Sequence, residues 1–401
     1  MKKQLIQLMS RIIGFKAISF DGHHIILLKV PMIFIPYETL VRFQEALVQK
    51  LGFETAYAIM FGLGRIQGYN GTSIYIKNYN IQPDASDLNF FLEQAHLVGL
   101  GKITIEKVDM ESRHGILIYH NSPEAVKYKD LYGLQKNPVD LYQLGMISGA
   151  AQAVLRGKDI IGIEKQCLAK GDPNCFIELK ERDVWLSEGE YSKQLPAQLK
   201  DVEQLSKIET LSSLLEPIQI DEEDISPLML QLSKLKKNVY TFSEQGINLL
   251  DINGMITPIE ILSLLAYVAN KLSADDGAEI FYNTGFDEGK LIFESLNRVL
   301  HFKRDFSSVS MAFEAVGLLG LGSAELLRAD MKSTSFLVKV KDNYLAKKYL
   351  KFFGMQKKPF DHYLTGILAG IASSLTGEKL TASEVKCVVQ GAQACTFEIK
   401  K

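Results

Sequence analysis

One stretch of the chain occurs twice, and this constrains the fold more than any other feature. The first copy, from Asn137 to Lys180, reads NPVDLYQLGMISGAAQAVLRGKDIIGIEKQCLAKGDPNCFIELK; the second, from Lys358 to Lys400, reads KPFDHYLTGILAGIASSLTGEKLTASEVKCVVQGAQACTFEIK. Pro138, Asp140, Tyr142, Gly145 and Gly149 recur at one constant offset as Pro359, Asp361, Tyr363, Gly366 and Gly370. After a single deletion, Glu164, Cys167, Gly171 and Cys175 recur as Glu384, Cys387, Gly391 and Cys395. All 4 cysteines of the chain lie in matching places of these two stretches. A fixed internal repeat means two copies of one structural unit.

The chain has 401 residues, so each half is long enough to bury its own core. With 47% hydrophobic and 23% charged residues it has the composition of an ordinary globular protein. The formal net charge of −2, with no long basic run, gives no support for nucleic-acid binding. No run approaches the roughly 18 uncharged apolar residues of a membrane span. The start, MKKQLIQLMSRIIGF, lacks the long apolar region and cleavage site of a signal peptide. A cytoplasmic protein with reduced cysteines is therefore expected.

Hydrophobic periodicity places the same elements in both halves. Phe15–Phe20, the Asp21-Gly22 turn and His24–Ile35 predict a β-hairpin, matched by Val239–Phe242 and Ile247–Ile252. Helices follow over Tyr37–Leu51 and Glu54–Tyr69, and over Pro258–Leu272 and the segment beyond it. Gly64 and Gly68, repeated as Gly285 and Gly289, mark helix faces that admit a close neighbour. Gly99-x-Gly101 and Gly320-x-Gly322 close a helix and open a strand. A dinucleotide fingerprint has the opposite order, so these glycines predict a helix end and a turn. Hairpins are predicted for Lys102–Val108 with Gly115–His120, and for Ala324–Arg328 with Ser335–Lys341. The repeated stretch itself predicts a helix with a first-turn proline, ended by Gly157 or Gly377, and then two short strands. The expected architecture is α/β in the α+β sense: two tandem helix-rich domains, each with a small antiparallel sheet, at 1–182 and 238–401. A helical linker, 183–237, separates them, with helices expected over Ala197–Leu215 and Leu228–Leu235.

The combination of a Gly-x-x-x-Gly helix, Glu-x-x-Cys, a glycine turn, Cys and an alternating strand resembles the vinyl-4-reductase domain. That family includes predicted hydrocarbon-binding proteins and the sensor parts of phenol- and xylene-responsive activators, and its fold is related to trafficking-particle components. The resemblance implies an α/β domain with an apolar cavity. It also implies a zinc held by Glu164, Cys167 and Cys175, and again by Glu384, Cys387 and Cys395. Where the aromatic-responsive members carry a further cysteine, this chain has Asp140 and Asp361. Carboxylates also bind zinc, giving a harder, two-thiolate site; His362 is a further candidate in the second copy. A metal-free reading stands beside this one. Asp140 and Asp361 fall where a helix dipole favours a carboxylate, and cysteine is often a small buried hydrophobe. Moreover, Glu164 and Cys167 point to opposite faces of a flat strand, so a shared metal needs a bulge or a strand end between them.

For the implied cavity, the candidate lining is Phe61, Phe91, His96 and Tyr119 in the first half and Tyr282 and Phe313 in the second. His96 is the one ionisable group of its helix and can hold a phenol-like hydroxyl; a core histidine bonded to a backbone carbonyl is the competing reading. The function that follows is non-catalytic sensing of a small hydrophobic ligand, with aromatics among the candidates, acting through a signalling partner or a homodimer. An interaction scaffold is the alternative. A reductase is disfavoured, because no nicotinamide, flavin or P-loop fingerprint is present.

Overall fold

The computed structural model describes residues 18–20, 23–27, 30–79, 92, 95–96, 98–156, 159–189, 227–235, 239–243, 246–272, 274–303 and 305–401. The protein is an α+β structure of helices and antiparallel sheets. Its contacts form two compact units, one centred on Leu40–Leu215 and the other on Asn248–Lys401 together with Ala17–Thr39.

In the first unit the Phe53–Tyr79 helix crosses the Leu141–Leu155 helix. The crossing is backbone against backbone. A Cβ on Gly64 or Gly68 would run into the carbonyl oxygens of Tyr142 and Met146; one on Gly145 or Gly149 would run into those of Phe61 and Arg65. Each helix thus supplies two glycines to the other, which is the contact that their four-residue spacing predicts. The second unit repeats it: Gly285 and Gly289 of Ala274–Leu300 face Tyr363 and Ile367, and Gly366 and Gly370 of His362–Thr376 face Tyr282 and Phe286. The sequence-predicted Glu54–Tyr69 helix is longer than expected, continuing to Tyr79.

Each unit carries a four-stranded antiparallel sheet. In the first the order is Lys102–Asp109, His114–His120, Cys175–Glu181, Ile160–Gln166. In the second it is Ser323–Asp330, Ser335–Lys341, Cys395–Lys400, Thr381–Lys386. The hairpin expected from each pair of strands before the repeated stretch therefore forms the outer half of each sheet. Along the last strands the two-residue period sets the core face: Cys175, Ile177 and Leu179 are buried, as are Cys395, Phe397 and Ile399. Gly99, Gly101, Gly320 and Gly322 all have positive φ, the turn conformation expected of them.

The N-terminal strands Ile18–Phe20, Ile25–Leu27 and Val30–Pro36 form a meander within the second unit rather than a single hairpin. Val30–Pro36 pairs antiparallel with Ile252–Pro258, from Met32 opposite Pro258 to Pro36 opposite Gly254. The Phe34 N–H donates to the Leu319 carbonyl at 3.0 Å, and the His24 ring lies edge-on to Tyr344 with centroids 4.8 Å apart.

The Leu141–Leu155 helix ends at Arg156, whose φ is 53°; Gly157 lies outside the described residues. The second repeated helix ends at Gly377, φ 74°, as expected. Of the linker, Arg182–Ser187 and Pro227–Lys234 are helices, the latter burying Leu228 and Leu232. The expected Ala197–Leu215 helix and the N-terminal residues 1–17 lie outside the described residues.

Candidate functional site

The site of the first unit assembles from three elements. Asp140 precedes the Leu141–Leu155 helix, Glu164 lies on the Ile160–Gln166 strand, and Cys167 and Cys175 flank the turn into the last strand. The strand register shifts between Glu164 and Gln166, and the strand then ends before Cys167. This bulge and strand end let two residues three apart face one point. In the turn, Gly171 takes φ 101°, the Lys170 N–H donates to the Cys167 carbonyl at 2.9 Å, and Asp172 accepts from the Cys167 N–H at 2.8 Å. The Leu168 N–H donates to the Cys175 sulfur at 3.3 Å.

The ligand atoms of Asp140, Glu164, Cys167 and Cys175 all lie within 4.8 Å of one another, and all four residues are buried. Tetrahedral zinc with these donors would space them roughly 3.3–3.8 Å apart, so a small contraction would close the set. Asp140 accepts from the Ser122 hydroxyl at 2.6 Å through Oδ1. Its Oδ2 and both carboxylate oxygens of Glu164 have no hydrogen-bond partner of normal geometry. Beside them Glu124, fully buried, also leaves both oxygens unpartnered. Unpaired buried carboxylates are costly, and burial pushes Glu124, Asp140 and Glu164 upward, Asp140 further raising the two glutamates. The hydrogen bond from Cys175 lowers the Cys167 thiol while raising that of Cys175 itself. Without a metal the cluster is held by shared protons; a divalent cation would replace them and give each orphaned oxygen a counter-charge.

The second unit brings together three such residues. Glu384, Cys387 and Cys395 have their ligand atoms within 4.8 Å of one another. The strand bulge recurs between Glu384 and Lys386, and Gly391 has φ 94°. Asp361, expected as the fourth donor, is left out of this group. Its Oδ1 caps the His362–Thr376 helix by accepting from the Leu364 N–H at 3.1 Å, and its Oδ2 accepts from the Asn343 side-chain amide at 2.6 Å. Asn343 also reaches the Cys395 sulfur at 3.6 Å. Burial and the neighbouring Glu384 push Asp361 up to about 7. Glu384 rises to about 8 through burial and the neighbouring Cys387. Cys387 falls to about 6 through its bond with Cys395, whose own thiol is raised. His362 is not among the grouped residues; burial lowers it.

Ser122, Glu124 and Asn343 escaped the sequence reading. Ser122 and Asn343 do cap the helices that follow them, accepting from Ala125 and Ala346 N–H groups, so their pattern reads as capping alone. Glu124 reads as a first-turn acid. The available signal was comparative: Glu124 has Leu345 at its repeat position, and Ser122 has Asn343.

The cavity candidates are dispersed through the cores. Phe61 is buried and stacked on Tyr57, and Phe313 is buried edge-on to Phe336. The buried Tyr119 hydroxyl lies against the Leu100 carbonyl and the Gln143 amide oxygen. Tyr282 is half-buried and accepts from the Ala382 N–H at 3.3 Å. His96 is half-buried, and its Nδ1 is a buried atom with no hydrogen-bond partner. Phe91 lies outside the described residues.

These features define an α+β domain with a buried cysteine–carboxylate cluster behind a glycine helix crossing. Residues 338–401 match the vinyl-4-reductase domain family, so the second repeat carries a domain of that family. The chain is similar to the phenol regulator MopR of Acinetobacter guillouiae, 24% identical over 208 residues, or 50% of this chain and 33% of that protein. It thus spans about a third of that relative's length. Among solved structures it is similar to the phenol-responsive sensory domain of the transcription activator PoxR, at 24% identity and TM-score 0.41, covering 45% of this chain and 93% of that one. A second similar structure is a vinyl-4-reductase family protein from Methanocaldococcus jannaschii, at 21% identity and TM-score 0.22, covering 30% and 66% respectively. Among the described residues, no helix is long and apolar enough to cross a membrane.

Proposed function

We propose that this protein senses or carries a small hydrophobic, phenol-like molecule without transforming it, and that its two repeats of the vinyl-4-reductase type, 1–182 and 238–401, are each braced by zinc. The observation that carries the ligand reading is His96. Its Nδ1 is buried without a partner, whereas the hydroxyl of Tyr119 already meets two acceptors. An unpaired ring nitrogen beside a core favours a ligand hydroxyl that satisfies it. The similarity to a regulator described as responding to phenol supports the same chemistry. Zinc fits the orphaned carboxylate oxygens and paired thiols of the clusters, and its contribution would be structural, tying the helix start to the strand turn. The sequence carries no hydride-cofactor fingerprint, which favours binding over reduction. The signal would pass through a protein partner or self-association.

The test is titration calorimetry with phenol and with cyclohexanol and toluene as controls. Saturable phenol binding that His96→Ala weakens at least tenfold supports the reading. No binding of any of the three, together with self-association of the free protein, would favour the interaction scaffold instead.

A further inference from the structure

The two metal clusters are not equivalent, and one pair of residues separates them. In the first repeat Ser122 has a single proton to give, and it goes to Asp140 Oδ1, leaving Oδ2 facing Glu164, Cys167 and Cys175. In the second repeat the matching residue is Asn343, whose amide has two N–H groups. One holds Asp361 Oδ2 at 2.6 Å and the amide also reaches Cys395 at 3.6 Å, while Asp361 Oδ1 serves the helix as a cap. Asp140, by contrast, makes no capping bond with its side chain. The glutamates differ in the same sense. Both oxygens of Glu164 are unpartnered, but Glu384 Oε2 accepts from the Asp361 backbone N–H at 3.2 Å, leaving only Oε1. Finally, the first cluster has the additional buried, unpartnered carboxylate of Glu124, where the second has the apolar Leu345.

We propose that the first repeat holds its metal in a closed set of Asp140, Glu164, Cys167 and Cys175. The second holds it through Glu384, Cys387 and Cys395 alone, with the fourth position taken by water or a small exchangeable anion. This rests on the zinc reading above and adds to it a division of labour: one fixed ion and one exchangeable ion per chain. The physical grounds are coordination number and local charge. Three protein donors plus an external ligand is the arrangement of open zinc sites, four protein donors that of closed ones. The first cluster also has more negative charge to offset the cation's +2. Asn343 is a positioning residue here: it touches Asp361 and Cys395 and sets which of them is free to turn to the metal.

The experiment is a zinc titration of the full-length reduced protein, stripped by chelator, against a competing chelator and read by native mass spectrometry. Wild type is expected to take its first zinc at a free concentration at least tenfold below the second. Cys175→Ser should remove the tight step and Cys395→Ser the weak one. Asn343→Ser should tighten the weak step about tenfold or more, and Ser122→Asn should weaken the tight one, the range expected for a residue that orients a ligand. With cobalt as probe, azide should alter the visible absorption of the Cys175→Ser protein, which retains only the second site, and leave that of Cys395→Ser unchanged. Two zincs taken up at the same free concentration, or an azide response at neither or both sites, would overturn the asymmetry while leaving the zinc reading intact. No zinc uptake at any concentration would remove the zinc reading itself.

Discussion

Inside the second unit, the Tyr363 hydroxyl donates to Oε2 of Glu288. The same contact in the first repeat joins Tyr142 to Gln67, so a buried carboxylate stands in one repeat where a neutral amide stands in the other. Burial pushes Glu288 up to about 7 from an ordinary 4.5, against the opposing bonds from Tyr363 and Thr39. A raised folded-state value stabilises the protein fully below about pH 4.5, and this contribution is lost as pH rises through about 7. Between pH 8 and 5.5 the wild type should therefore gain about 2 kcal/mol relative to Glu288→Gln. Urea unfolding of both proteins at the two pH values checks this; Asp361 and Glu384 titrate in both and cancel in the difference.

The glycine crossings should be intolerant of a single methyl group. Gly149→Ala and Gly370→Ala force a Cβ against the carbonyls of Arg65 and Phe286 and should cost about 3 kcal/mol, at the upper end for overpacking. Gly71→Ala, in the same helix as Gly64 and Gly68 but with open space around it, should be neutral or stabilising by up to about 1 kcal/mol. Equal losses at all three positions in thermal melts would argue against a specific crossing.

Tyr119→Phe separates core from ligand contact. Removing the hydroxyl strands the Leu100 carbonyl and the Gln143 amide, so stability should drop by about 1–2 kcal/mol. Phenol affinity should stay within twofold of wild type, in contrast to His96→Ala. A Tyr119→Phe protein of unchanged stability that loses phenol would reassign the hydroxyl to the ligand.

Zinc should raise the melting temperature, because an ion that binds only the folded chain adds about 2.7 kcal/mol at a hundred times its dissociation constant. A strong chelator should reverse this, and Cys175→Ser should blunt it by removing a first-unit ligand. Identical melting curves with zinc and with chelator would count against metal bracing.

The chain's 1 tryptophan reports on the first cluster alone. Trp185 is buried, donates to the Ile161 carbonyl at 3.0 Å, and lies beneath Lys165, the neighbour of Glu164 in sequence. Cobalt loading should quench its fluorescence in wild type and in Cys395→Ser, and much less in Cys175→Ser.

What could be read from the amino acids alone was whatever depends on local spacing. Small residues four apart named both faces of each helix crossing, and alternation along Cys175–Leu179 named the buried side of the strand. Even the bulge beside Glu164 was foreseeable, because a shared site with Cys167 demands one. What could not be read depends on partners far away in sequence. Nothing in Val30–Pro36 names Ile252–Pro258 as its neighbour, and a cap residue looks the same whether or not its spare N–H holds a metal-site aspartate, as that of Asn343 does. The dispersed aromatics show the same limit, since Phe61 and Phe313 satisfy a helical pattern by packing on Tyr57 and Phe336.

The pairing of Val30–Pro36 with Ile252–Pro258 bears on how the protein can be dissected. A fragment cut at the boundary of the sequence repeat, starting near residue 238, would strip Ile252–Pro258 of its neighbour along five residue pairs, Met32–Pro258 to Pro36–Gly254. The exposed edge would present unsatisfied backbone groups on an apolar strand, an invitation to pair with another chain. The genetic unit of duplication and the unit that can be expressed alone are therefore different objects: a soluble C-terminal half would have to bring residues 17–39 with it.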